Sequence, residues 1–221
     1  MESENTVNPE LAAALFYLLG EPVPHNPKLE KTAGRIWDAT DDREQLLLKI
    51  IELCGNSTEP RELYLCEKAY SWLGRNYCRQ TIQYAHRYLE SKGWDALSGR
   101  TEMVEGIQVD HGDSRKAGVL IDLAKALQET GRLEEAYSTY LQAYDLVPYN
   151  AMVVIKAAEV LSSIRGRQEA LNFLLQQRSS LYYEPVKYRD SAGKICRNGV
   201  FRDLIEAQIL KLQEKNTQLE T

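Results

Sequence analysis

Apolar residues recur at helical spacing along most of the chain, and stretches with the two-residue alternation of a strand are almost absent. Asn8 before Pro9 reads as an N-cap with proline at the first helical position, LAAALFYLL carries a helix, and Gly20 ends it. That helix is apolar nearly all round, so it has to be covered, by the chain's own core or by a partner or second copy. Pro22, Pro24 and Pro27 then force an extended linker, because proline fixes φ and disfavours helix in the residue before it. The helical pattern resumes from Lys28 to Cys54 with a break near Thr40. There Asp41 and Glu44 form a capping pair for QLLLKIIELC, and Gly55 is the stop. From about Ser57 to Lys92 the pattern is again helical. One unbroken helix there would far exceed the usual three to four turns, so a hairpin with its bend between Gly74 and Thr81 is predicted. Trp94 to Ser114, with Gly99, Gly106 and Gly112 and a weak apolar pattern, reads as a long connection between two helical halves. From Gly199 to about Lys215 a final helix places Phe201, Leu204, Ile205, Ile209 and Leu212 on one face.

From Ala117 onward, Ala124, Leu127, Gly131, Ala136, Tyr140, Ala143 and Pro148 stand at offsets that repeat. Ala158 and Ala170 follow Ala124 and Ala136 at 34 residues, and GRQEALNFLL echoes GRLEEAYSTY. Small residues at these places let two antiparallel helices approach closely, and Gly131 turns the chain between them. Over residues 117–182, about a third of the chain, this resembles the tetratricopeptide repeat, a 34-residue helix-turn-helix unit. The second unit departs from the pattern. It has Arg165 and then Gly166 at the turn, Gln177 for the alanine and Tyr182 for the proline, so its second helix is predicted to end early or diverge. WLGRNY, with Trp72, Leu73, Gly74 and Tyr77, is similar to part of a first helix, followed too soon by TIQYAHRYL.

The resemblance implies an all-α fold: antiparallel helix-turn-helix repeats stacked as a short solenoid, closed by the C-terminal helix as a cap. It divides the chain into an apolar helix and Pro-rich linker (1–27), a helical region with a degenerate repeat-like hairpin (28–98), a connection (99–116), two repeats (117–182), and a basic, aromatic loop with the capping helix (183–221). It implies a groove for a protein or peptide partner on the first helix of each unit. Matching positions carry Ile121, Lys125, Gln128 and Glu129 in the first unit and Met152, Ile155, Glu159 and Ser162 in the second. The Lys/Asn/Arg clamp with which some members hold a C-terminal carboxylate is not reproduced, which points to a mixed, partly apolar ligand such as an amphipathic helix or extended peptide.

Composition narrows the partners. The net charge of −5 argues against a whole surface that wraps nucleic acid. Cys54, Cys66, Cys78 and Cys196 form no CxxC pair, which fits reduced thiols in a cytoplasmic protein without structural zinc. Neither a signal peptide nor a membrane-spanning run is read, so no membrane partner is expected.

No HExxH, GxSxG, P-loop or dinucleotide fingerprint occurs, and His25, His86 and His111 are scattered, so no catalytic residue, metal site or cofactor is expected. A Cys66, His86 and carboxylate constellation is read as buried thiol and satisfied histidine, and Glu134–Glu135 and Asp41–Asp42 as helix-start acids. The 13 tyrosines, against 3 phenylalanines, suit partly exposed packing and also peptide-binding surfaces. One stretch stands apart, LYYEPVKYRDSAGKICRNGVFR, with Lys187, Arg189, Lys194, Arg197 and Arg202 among Tyr182, Tyr183, Tyr188 and Phe201. Asp190-Ser191-Ala192-Gly193 predicts a turn closing a hairpin between VKYR and KICR. Two readings fit: a tethering loop that offsets the acidic helices, or an anion-binding surface for single-stranded nucleic acid. The leading function is a non-enzymatic scaffold or adaptor. The alternatives are a regulator that touches nucleic acid through 182–202 and a chain that forms homo-oligomers through its first helix.

Overall fold

The structure, a computed structural model, describes residues 43–217, with side chains described to residue 214. The expected apolar helix, the Pro-rich linker, and Asp41 with Asp42 lie outside the described residues. The described part is mostly helical, with two two-stranded sheets, and the chain divides into two compact units, Met1–Ser91 and Lys92–Thr221.

In the first unit, α1 (Arg43–Cys54) leads to α2 (Pro60–Leu73), a 3-10 turn (Arg75–Tyr77) and α3 (Cys78–Ser91). Pro60 opens α2, and Gly74 closes it in the interval where the bend is predicted. Leu47 and Ile50 of α1 pack on Leu65 and Ala69 of α2. The tyrosines tie the helices together. Tyr70 lies 5.2 Å from Tyr84 and 5.9 Å from Tyr77 between ring centres, and Tyr64 lies 5.4 Å from Tyr88. From α3, the Tyr84 hydroxyl donates to the Gly55 carbonyl (2.5 Å) and Arg87 donates to that of Ser57 (2.7 Å), which clasps the α1–α2 loop.

The second unit begins with a 3-10 turn (Gly93–Leu97) and the antiparallel pair β1 (Thr101–Val104) and β2 (Ile107–Asp110), paired from Thr101↔Asp110 to Val104↔Ile107. This corrects the expected connection over 99–116, which instead holds a hairpin and the first turn of α4 (His111–Glu129). The hairpin escaped the pattern because every β1 residue is exposed, leaving no inward face to alternate. Its two-residue loop, Glu105–Gly106, takes positive φ at both positions (49° and 84°), the type I′ geometry usually marked by Asn-Gly or Asp-Gly. Asp110 then caps α4. Its carboxylate accepts from Asp113 N (3.0 Å) and Gly99 N (2.7 Å), bonds that hold its pKa below the ordinary carboxylate range.

The helices α5 (Leu133–Leu146), α6 (Ala151–Arg165) and α7 (Arg167–Gln176) follow; α4 packs on α5, α5 on α6 and α6 on α7. Ala124, Ala136 and Ala170 are fully buried and Ala158 is 1% exposed. A 3-10 turn (Gln177–Ser179) ends α7, then β3 (Val186–Arg189) and β4 (Ile195–Asn198) form the second hairpin and α8 (Val200–Thr217) closes the unit. Phe201, Ile205 and Ile209 of α8 join Val154, Ile155, Leu171 and Leu174 in one core cluster. Burying side chains of this size contributes about 1.5–3 kcal/mol each.

Candidate functional site

The first helices of the two pairs carry the groove residues at helical spacing. On α4, Lys125 and Glu129 are exposed, and Ile121 and Gln128 are half-buried. On α6, Met152 is 48% exposed, while Ser162 and Glu159 are half-buried, the latter in an ion pair with Lys156 at 2.7 Å. Ile155 is a correction: it is 7% exposed and packed in the cluster that α8 completes, so no ligand can reach it. Register within a repeat places Ile155 on the first helix but carries no information about a helix arriving from fifty-odd residues later. Tyr140, expected from tyrosine's dual character to serve packing or binding, is 1% exposed, and burial pushes its hydroxyl up to about 12.

A cavity of about 280 Å³ opens where the two hairpins meet the starts of α6 and α8. Val104 and Val109 from the first hairpin, Tyr149 and Met152 around the α6 start, Tyr182 and Phe201 form much of its wall. The rings of Tyr149 and Tyr182 meet edge to face at 5.9 Å. The loop of the first hairpin presses on the second, since a Cβ on Gly106 would lie 2.8 Å from Val186 Cγ1 and 2.9 Å from Tyr188 Cβ. Asn198 Nδ2 donates to Glu105 across the same junction (3.1 Å). Sequence reasoning named Met152 and Tyr182 for other reasons and missed the cavity. The usable signal was Tyr182 standing where the first unit has Pro148.

The basic stretch forms the expected hairpin, with Lys187 opposite Arg197 and Arg189 opposite Ile195. Strand alternation turns these four outward, and all are exposed, while Val186, Tyr188, Cys196 and Asn198 are half-buried on the other face. Lys194 is exposed at the turn, which Asp190 builds by accepting from Ala192 N and Lys194 N. Arg202 does not join this face, because it lies on α8 and pairs with Asp203 at 3.2 Å. The aromatic residues do not join it either. Phe201 is core, Tyr182 lines the cavity, and Tyr183 donates its hydroxyl to Glu206. Glu206 also takes a two-pronged contact from Arg178 (2.8 Å), and the guanidinium, with the Tyr183 hydroxyl, lowers its pKa to about 2.

The Cys54 and Cys66 thiols hydrogen-bond one another; that bond and burial push Cys66 up, while the bond lowers Cys54. His86 is exposed and Cys66 fully buried. Glu135 pairs with Arg132 at 2.6 Å and Glu134 with Arg165 at 3.8 Å, at the start of α5 as expected. Among the described residues no three His, Cys, Asp or Glu side chains converge to hold a metal, and no helix is long and apolar enough to cross a membrane. No family model matches the chain, and neither the curated proteins nor the solved structures contain a match to it.

Proposed function

We propose that the second unit is a tetratricopeptide-like scaffold that binds a peptide or helix of a protein partner along the exposed faces of α4 and α6, without catalysis. One observation carries the reading. Alanines spaced by 34 residues are buried on the successive helices α4, α5, α6 and α7, each of which packs on the next. Helices that meet through alanine lie close and rigid, so the residues projecting from their first members hold fixed positions relative to one another. Lys125, Glu129 and Glu159 offer charges of both signs, and Met152 an adaptable apolar contact. A mixed ligand suits that set better than a bare carboxylate does.

The test is affinity capture of the intact chain from an extract of its host, half of it treated with nuclease, followed by mass spectrometry. A protein partner that survives nuclease and is lost on Lys125→Glu with Glu159→Lys is the expected result. A partner that persists in that variant would sink the groove reading. Contact with single-stranded nucleic acid through 182–202 has less support, because the rings that would stack on bases are turned inward or buried.

A further inference from the structure

The outward face of the second hairpin gathers Lys187, Arg189, Lys194 and Arg197, all exposed, in a protein whose net charge is −5. Several cations elsewhere in the unit are paired with acids: Arg132 with Glu135, Lys156 with Glu159, Arg178 with Glu206. Among the described residues, no carboxylate lies within ion-pair distance of Lys187, Lys194 or Arg197, and Arg189 donates only to the Gly193 carbonyl (3.0 Å). Asp190, the nearest acid in sequence, is occupied by the backbone of its own turn. The register sets Lys187 directly across from Arg197, and like charges in that position destabilise a strand pair. A second oddity shares the face, since Ile195 stands 62% exposed among the cations. The sheet has two strands, so each outer edge lacks a strand neighbour among the described residues.

We propose that this face binds an extended acidic segment of another protein, laid along the hairpin with its carboxylates on Lys187, Arg189 and Arg197 and an apolar side chain over Ile195. Alternate residues of an extended chain stand about 6.8 Å apart, the same repeat as Lys187 and Arg189, so acids at every second position meet the cations in step. An apolar residue within the cationic face has a use against a peptide and none against a phosphate backbone. A long polyanion would also approach the rest of a molecule whose net charge is −5, whereas a short acidic segment meets only the patch, within about one Debye length. This site is separate from the α4 and α6 face and stands or falls independently of it.

Fluorescence anisotropy on the full chain tests it, with a fluorescein-labelled peptide of alternating Glu and Val, the same peptide with Lys for Glu, and a labelled oligothymidylate. The acidic peptide is expected to bind at low salt and weaken as salt rises, and the lysine peptide to show no binding. Lys187→Glu with Arg197→Glu should weaken binding about tenfold or more, while Lys211→Glu, on α8, leaves it unchanged. Lys187→Glu alone carries the decisive second readout. It turns the repelling cross-strand pair into an attracting one, so thermal stability should hold or rise while affinity falls. The proposal is overturned if the acidic peptide fails to bind, if the double variant binds as before, if Lys211→Glu loses as much, or if oligothymidylate binds more tightly than the peptide.

Discussion

The pair α4–α5 and the pair α6–α7 put alanine at the same points and finish differently. In the first, α5 runs 14 residues, Ala143 is fully buried, and Pro148 ends the unit just before Asn150 caps α6. In the second, α7 stops after 10 residues, and Gln177 occupies the place of that alanine. Gln177 is nonetheless buried, and it accepts from the Tyr144 hydroxyl (2.9 Å) while its amide donates to the Phe173 carbonyl (3.4 Å). Tyr182 stands where Pro148 stands in the first pair and lines the cavity. The difference separates two kinds of constraint. Where helices cross closest, distance admits only a small side chain; at the end of a unit, residue choice follows what the chain does next. The first pair passes directly to another helix, and the second must first make a hairpin.

The crossing points give the largest expected effects. Ala136→Leu and Ala170→Leu should each destabilise by about 1–3 kcal/mol or more in urea unfolding, because the added atoms have no space between paired helices. Near-equal losses would sharpen the parallel between the pairs, and a neutral result at either position would break it. Next comes the divergent end. Gln177→Leu should cost about 1 kcal/mol by removing the acceptor of the half-buried Tyr144 hydroxyl, and adding Tyr144→Phe should recover part of that loss. At the turns, Gly131 (φ 78°) and Gly166 (φ 90°) have no atom near a would-be Cβ, so alanine there meets strain alone, about 1–2 kcal/mol. The smallest effect concerns acid. Glu206 has its pKa lowered from 4.5 to about 2 in the folded protein, so its bond to Arg178 stabilises above the ordinary carboxylate range and that contribution is lost as pH falls towards about 2. Thermal melts of Glu206→Gln should therefore show a shallower loss over that window, and a slope equal to that of the parent would deny the bridge any part in fixing the second pair's end to α8.

The helices were legible because their signals are local. Gly55, Gly74 and Gly131 act on the backbone beside them, and helices end just before them; the recurrence of Ala124 and Ala136 after 34 residues is likewise visible in the sequence, and both are buried. The second hairpin was legible for the same reason, since Asp190 and Gly193 make its turn with their own bonds. The first hairpin was hidden, because β1 is exposed along its whole length and Glu105 disguises the turn. The candidate site was legible only in part. The resemblance to the repeat picked out Lys125, Glu129 and Met152, which are exposed, while the burial of Ile155 and the cavity depend on α8 and both hairpins, contacts that no local pattern encodes.

Gly106 bears on how this protein comes off the ribosome. Its bare backbone is covered by Val186 and Tyr188, which are translated roughly eighty residues later. Through that interval the early hairpin exists without its cover, and so does the face of α6 that awaits α8. A nascent chain at this stage shows apolar surface to its surroundings, and a stop codon or cleavage anywhere before residue 186 leaves it that way. The second unit is therefore sealed from its end backwards, and a shortened product should be drawn to chaperones rather than accumulate as a smaller scaffold.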